Sequence, residues 1–313
     1  MWSVRGRWIR WELAVATSAL FVLLLLVVPT PWSVDGRLSR AILSAAHFPL
    51  FALVGSAAML LMPAPNRRIR RRRALLVSAA LAVGVEILQA LTGREPGLRD
   101  GLTSTAGATA AIFLWASWWS GSRLSIAVAR GVALVLALLA CVPTGLVLAD
   151  RVQARLSYPV IASFEGRSEL GRWWGHYARL GRVTSQATHG RHALRAVIFK
   201  SRGAYPGLFM TDGPRDWGEY GRLCFDVYLV GNAERSIWVR VDDRADYPPY
   251  DDRAQTMVTL VPGPNSVCLD LASLLRTPSG RALNRQSIRR WGLFFDDAQG
   301  GETFFLDHIR LSR

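Results

Sequence analysis

The chain divides into an α-helical membrane bundle of five transmembrane helices and an all-β sandwich. Three observations predict this. Five apolar stretches fill the first 150 of its 313 residues, and arginines gather in alternate loops between them. Beyond Asp150 the pattern switches to short alternating runs rich in Trp, Tyr and Gly. The expected boundaries are 1–150 for the membrane part, 151–157 for a linker and 158–313 for the sandwich.

The spans are expected at about 13–29, 41–62, 74–92, 102–119 and 131–149, each close to the ~20 residues that cross ~30 Å of hydrocarbon. The first is an anchor rather than a cleavable signal peptide. Its apolar core is long, no small-residue cleavage site precedes Pro29, and further spans follow. Arg5, Arg7 and Arg10 precede span one, six arginines between Arg67 and Arg73 separate spans two and three, and Arg123 and Arg130 separate four and five. Under the positive-inside rule the amino terminus is cytoplasmic, and five crossings leave the carboxyl-terminal domain outside the inner membrane. The formal net charge is +15, more than half of it in the first 150 residues. Wedged between two spans, the Arg67–Arg73 run reads as a topology signal rather than a nucleic-acid patch, so no nucleic-acid partner is implied.

This topology makes polar residues converge. Span two enters from outside near Ala41, so His47 lies about 9 Å down a helix that rises ~1.5 Å per residue. Span three leaves near Thr92, which puts Glu86 at a similar depth, with Gln89 on the same helix face. Arg94 and Asp100 cap the loop beyond, and Thr103 opens span four. Ionisable residues in a span usually face a bundle interior and mark a functional site. The cluster His47, Glu86, Gln89, Arg94 and Asp100 suits a phosphate or carboxylate head group or a proton transfer; equally, its members satisfy one another and lock helices together. Metal binding by one His and two carboxylates fits the residue types but has no diagnostic spacing.

The run HFPLF (47–51) and the stretch EILQALTGREPGLRDGLTSTAG (86–107) resemble the VanZ family of small bacterial membrane proteins. The family pattern has His-Phe in one span, Glu-x-x-Gln closing another, a short loop with Arg, and Asp followed by Asn and Gly opening the next. His47, Phe48, Phe51, Glu86, Gln89, Arg94, Asp100 and Gly107 match it. The Asn does not, since Ser104 and Thr105 occupy its neighbourhood. The resemblance covers about residues 12–120 and implies a location in the cell envelope rather than a particular reaction.

In the second half, LCFDVYLV (223–230), SIWVRVD (236–242) and NSVCLDL (265–271) alternate as strands with one buried face. Turns around Gly231 and at Pro262-Gly263 separate them, and one helical turn is expected near Ala272 to Leu275. Short strands between turns suit a β-sandwich. If Ile237, Val239 and Val241 are core, Trp238, Arg240 and Asp242 point the other way; by the same parity Phe225, Val227 and Leu229 go inward, and Asp226 and Tyr228 outward. An aromatic ring beside Arg and Asp is what a sugar face needs, because the ring stacks on C–H surfaces while the charged groups bind hydroxyls. Asp243, Arg244, Tyr250, Asp252 and Arg253 join the candidate ligand residues, and their Asp-Arg pairs read equally as structural ion pairs. Trp217 and Trp291 read as core. Cys224 and Cys268, both opposite the core, have the chance of a disulfide in an oxidising compartment; Cys141, within a span, is expected to be a buried thiol.

The order of Phe164-Glu165, Trp173-Trp174, Asp216-Trp217, the Pro262-Gly263 turn and FFLDHIRL (304–311) resembles jelly-roll carbohydrate-binding modules of the galactose-binding-like type. Such modules often hold a structural Ca²⁺ where Glu165 and Asp307 stand, so the resemblance implies these two as metal ligands. There is no Gly-rich phosphate loop, GxSxG elbow, HExxH or paired CxxC, and His176, His189, His192 and His308 lack metal-ligand spacing. The expected partners are membrane lipid and a glycan or lipid-linked sugar. An intramembrane enzyme acting on a lipid-linked substrate, or a structural membrane protein, are the competing expectations.

Overall fold

The computed structural model describes residues 36–91, 97–119, 121–201, 205–244, 246–296 and 300–313. Contacts divide the chain into two compact units, meeting at Gly145 and Leu146. The first predicted span and Arg94 lie outside the described residues.

Four long helices are described: α1 (Arg37–Leu61), α2 (Arg67–Leu91), α3 (Leu98–Trp118) and α4 (Arg123–Ser157). Three of them, α1, α2 and α4, are long and apolar enough to cross a membrane. Helix α3 is not among these because its interior is built from small and hydroxyl residues. Thr103, Ser104, Gly107, Ala108, Ala110 and Ala111 are buried against its neighbours. Such residues let helix backbones approach closely. A Cβ at Gly55 of α1 would lie 2.7 Å from the Ala108 carbonyl oxygen, so that crossing tolerates only glycine. Around it pack Phe51, Val54, Ala57, Ala82 and Val85, all buried. The helices overrun the predicted spans because arginine is a good helix former, so backbone continues where apolar composition stops. Arginines at the start of α2 meet the carbonyl end of α3: Arg67 Nη1 donates to Trp119 O, and the Arg70 guanidinium lies 5.6 Å from the Trp119 ring centroid. Cations are favourable where a helix leaves its last carbonyls unpaired. Cys141 is exposed on α4, contrary to the buried thiol expected.

The second unit is a β-sandwich of two antiparallel sheets. One has the order β3 (Ala178–Val183), β4 (Ala193–Ile198), β11 (Thr303–Ser312), β6 (Arg222–Val230), β9 (Gly263–Asp270), with β1 (Val160–Ala162) also on β11. The other has the order β2 (Trp173–His176), β5 (Gly207–Met210), β10 (Arg290–Phe294), β7 (Arg235–Asp242), β8 (Ala254–Leu260). One helical turn, α5 (Leu271–Leu274), follows β9 and is capped by the Asp270 carboxylate. Between the sheets, Ile237, Val239, Val241, Phe225, Val227 and Leu229 are buried as parity predicted, together with Trp217 and Trp291. The expected linker 151–157 is instead the last part of α4, and the second unit grips it through Asp150. Arg172 binds that carboxylate with two parallel bonds, Nε–Oδ2 2.9 Å and Nη2–Oδ1 2.8 Å.

Cys224 and Cys268 pair in register across β6 and β9 and form a disulfide. It closes a loop spanning 44 residues, for which restriction of the unfolded chain is worth about 2–4 kcal/mol. We expect Cys224→Ser/Cys268→Ser, or reduction, to lower the melting temperature of the sandwich by roughly 4–16 °C, at ~2–4 °C per kcal/mol for a domain of this size. A melt followed by near-UV circular dichroism with and without reductant checks this, and identical curves would deny the bond.

Candidate functional site

The outer face of the second sheet carries a groove of about 610 Å³. Strand register builds it. One row across the sheet reads Trp174, Phe209, Gly292, Arg240, Gln255, and the next reads His176, Gly207, Phe294, Trp238, Met257. Glycine interrupts each row beside a large ring. A Cβ at Gly292 would lie 2.4 Å from the Phe209 ring, and one at Gly207 would lie 2.7 Å from the Phe294 Cβ. The two glycines therefore leave room for the phenylalanines to lie along the sheet. The result is a stripe of near-parallel rings. Trp174 and Phe209 are 5.2 Å apart at 26°, Phe209 and Phe294 6.3 Å at 22°, Phe294 and Trp238 6.3 Å at 12°.

Beside the stripe, three guanidiniums surround Tyr247: Arg240 and Arg253 at 4.6 Å from its ring centroid and Arg290 at 5.5 Å. Arg240 Nη1 also donates to the Tyr247 hydroxyl at 3.0 Å. Asp242, fully buried, fixes Arg240 through contacts of 3.1 and 2.9 Å and reaches Arg290 at 3.4 Å. Arg253 is held by its Nε–H to the Pro248 carbonyl at 2.9 Å. Gln255 and Asp296 complete the polar wall.

Of the sequence-predicted ligand residues, Trp238, Arg240, Tyr250 and Arg253 line this groove. Others do not. Asp242 stands behind Arg240. Tyr228 belongs to β6 in the other sheet, edge-on to Phe305 at 6.2 Å. Asp243, Arg244 and Asp252 form an ion-pair network: Asp243 binds Arg281 at 2.8 and 3.0 Å, and Asp252 binds Arg281 and Arg244. Burial opposes ionisation of Asp243, yet the Arg281 guanidinium and the Asn284 N–H hold its carboxyl below the usual range. Sequence reasoning missed Trp174, His176, Tyr205, Phe209, Tyr247, Gln255, Arg290, Phe294 and Asp296, which also line the groove. Outward parity of Trp174 beside buried Trp173 was one signal for them, and the distinctive stretch VRVDDRADYPPYDDRAQ (239–255), which contains Tyr247 and Gln255, was another.

Glu165 and Asp307 do not fit a Ca²⁺ site. Asp307 Oδ2 accepts from the Thr188 and His189 backbone N–H groups, both at 2.8 Å, and from the Thr188 hydroxyl at 3.2 Å, while Oδ1 accepts from His308 N at 2.7 Å. Glu165 Oε1 accepts from Arg191 N and His192 N at 2.7 and 2.8 Å. Burial alone would raise the Glu165 carboxyl; those N–H donors and the His192 ring bring it below its usual range. Donor hydrogens aimed at both carboxylates clasp the 188–192 loop, whereas Ca²⁺ asks for about six to eight oxygens.

In the first unit the predicted polar cluster assembles in part. His47 on α1, Glu86 on α2 and Asp100 in the first turn of α3 bring one side-chain ligand atom each within 4.8 Å of one another. The His47 Nδ1 lies 2.9 Å from the Leu43 carbonyl oxygen. Glu86 Oε2 accepts the Gly97 N–H at 2.9 Å, at the N-terminus of α3, where a negative charge is favourable. Gln89 is buried on α2.

No family model matches the chain, and no curated protein does either. Solved structures similar to it in fold cover only about half of it. One is the family 11 carbohydrate-binding module from Clostridium thermocellum in complex with a beta-1,3-1,4-mixed-linked tetrasaccharide, with 16% identity and a TM-score of 0.40 over 49% of this chain and 94% of that one. Another is an exo-beta-agarase, with 18% identity and a TM-score of 0.40 over 49% of this chain and 24% of that one. A third is the family 11 module of the cellulosomal cellulase Lic26A-Cel5E of Clostridium thermocellum, with 15% identity and a TM-score of 0.39 over 49% and 92%.

Proposed function

We propose that the chain is a cell-envelope membrane protein with a VanZ-like helical part, whose β-sandwich recognises a glycan or lipid-linked sugar outside the inner membrane. The aromatic stripe Trp174–Phe209–Phe294–Trp238 beside the Arg240, Arg253 and Arg290 wall carries this reading. Flat rings offer a surface for sugar C–H groups, and guanidinium, amide and carboxylate side chains offer hydrogen bonds to hydroxyls. The volume lies within the ~300–1,000 Å³ usual for small-ligand sites. An extracytoplasmic domain agrees with the Cys224–Cys268 disulfide, since such bonds persist in oxidising compartments. Helices with apolar surfaces on most sides, above all α4, agree with a lipid surround.

The test is a glycan-array screen of the full chain in detergent, followed by calorimetric titration of the best oligosaccharide. Trp238→Ala is expected to weaken binding about 5–30-fold, the equivalent of losing ~1–2 kcal/mol of ring contact. Tyr228→Ala, on the other sheet, is expected to leave it unchanged. Saturable binding insensitive to Trp238→Ala, or no binding by the folded protein, would sink the proposal. A second reading, an intramembrane enzyme acting on a lipid-linked substrate, draws on the convergence of His47, Glu86 and Asp100.

A further inference from the structure

We propose that His47, Glu86 and Asp100 form a binding site for one divalent transition-metal ion of the Zn²⁺ class, held by His47 Nε2 and one oxygen from each carboxylate. The inference is independent of glycan recognition by the sandwich.

Tautomer geometry is the first argument. The Leu43 carbonyl oxygen can only accept, so His47 Nδ1 is the donor and Nε2 is the ring nitrogen left to serve as a ligand. A metal-ligating histidine characteristically donates its other ring N–H to such a carbonyl, which fixes ring orientation and raises ligand basicity. His47 is only 3% exposed, and its Nε2 is buried with no hydrogen-bond partner among the described residues. Glu86 Oε1 is in the same condition, while its Oε2 is occupied by the Gly97 N–H. Two buried polar atoms from different helices thus converge without satisfying each other. Leaving such atoms unpaired costs about 1–3 kcal/mol each, more when charged.

Charge is the second argument. Glu86 and Asp100 bring two carboxyl groups to His47, with one ligand atom of each residue within 4.8 Å of the others. A divalent cation makes the ligand set neutral overall, which a low-dielectric setting favours. Mixed nitrogen and oxygen donors suit Zn²⁺ or its first-row neighbours rather than Ca²⁺ or Mg²⁺, which take all-oxygen shells. Distance is the third. Tetrahedral ligands at ~2.0–2.2 Å from Zn²⁺ stand about 3.4 Å apart. The 4.8 Å span closes to that with rotations of the two flexible carboxylate side chains.

Three protein ligands leave a fourth position open, the pattern of Zn²⁺ sites that bind water or substrate. Glu86 also lines an apolar cleft of about 450 Å³ with Val83, Ile87, Leu98 and Leu102. A chain lying in that cleft would bring an oxygen of its head group to the metal.

The experiment uses the full chain in detergent, free of any affinity tag and stripped with chelator. Co²⁺ serves as a spectroscopic probe, titrated with visible absorption, and Zn²⁺ stoichiometry is read by mass spectrometry after desalting. One equivalent is expected. Glu86→Gln, Asp100→Asn and His47→Gln should each weaken Co²⁺ at least about 100-fold, because losing a ligand costs more than the ~10–100-fold typical of an outer partner. Asp100→Asn is nearly isosteric, and a melting curve matched to the parent shows that the variant is folded. No bound Co²⁺ or Zn²⁺, or equal affinity in the parent and in folded Asp100→Asn, overturns the proposal.

Discussion

Replacing Arg172 with Met is expected to cost the second unit about 3–5 kcal/mol and to lower its melting temperature by roughly 6–20 °C. The reason is the burial of both partners. Arg172 and Asp150 are each 2% exposed. The guanidinium binds the carboxylate through Nε and Nη2, the Asp150 carbonyl through Nη2 at 3.2 Å, and the Ile161 carbonyl through Nη1 at 3.0 Å. Removing Arg172 takes both guanidinium bonds from a carboxylate that is 2% exposed. The converse double change, Asp150→Leu with Arg172→Met, is expected to recover most of the loss, since a buried ion pair is often worth no more than well-packed apolar groups. The cycle therefore separates the net worth of the pair from the penalty for a stranded charge. Thermal melts of the three variants in the same detergent check this. A loss below ~1 kcal/mol in the single variant would mean that water or another partner compensates Asp150, so that its pairing with Arg172 is not what orders the last turns of α4.

The same residues show why sequence reading placed a linker where helix stands. Residues 151–157, RVQARLS, are polar enough to end an apolar span by composition, yet arginine, glutamine, alanine and leucine are good helix formers. What holds this end of α4 to the sandwich are partners 22 and 61 positions away, Arg172 for Asp150 and Asp212 for Arg151, invisible to any local pattern. Strands β6 and β7 were legible because each buries one face, so period-two alternation survives in their residues. Strands β5 and β10, GLFM and RWGLF, show no clear alternation: glycine and phenylalanine hold the two outer positions of β5, and Arg290, glycine and phenylalanine the three of β10. Only register places Phe209 opposite Gly292 and Gly207 opposite Phe294, and hence makes a ring stripe out of two unremarkable strands. The Asp243 and Asp252 pairs were ambiguous for a related reason, because Arg281 lies 38 and 29 residues from them. The cluster in the first unit was legible in His47, Glu86 and Asp100. Ionisable residues are rare in apolar spans, and alternating topology puts these three at the same level.

Gly107→Ala should disrupt the first unit more than any other single methyl added to its helices. A Cβ there would lie 2.0 Å from the Phe48 carbonyl oxygen, 2.9 Å from its carbonyl carbon and 3.0 Å from its Cα. All three atoms are backbone, so no side-chain rotation relieves the clash, and α1 and α3 must separate. Overpacking a core ordinarily costs ~1–3 kcal/mol when side chains can yield; here the cost should reach or exceed the top of that range. The displacement acts beside His47, the residue preceding Phe48, and pulls its imidazole away from Asp100 on the opposing helix. Gly84 of α2 supplies the control, since a Cβ there meets nothing within 4 Å. Gly84→Ala is expected to be neutral or to stabilise by up to ~1 kcal/mol through helix propensity alone. Fluorescence-detected size-exclusion melts of both variants in one detergent give the comparison directly. Equal melting temperatures would show that α1 and α3 are not in backbone contact at Phe48, and the close crossing that aligns His47 with Asp100 would have to be abandoned.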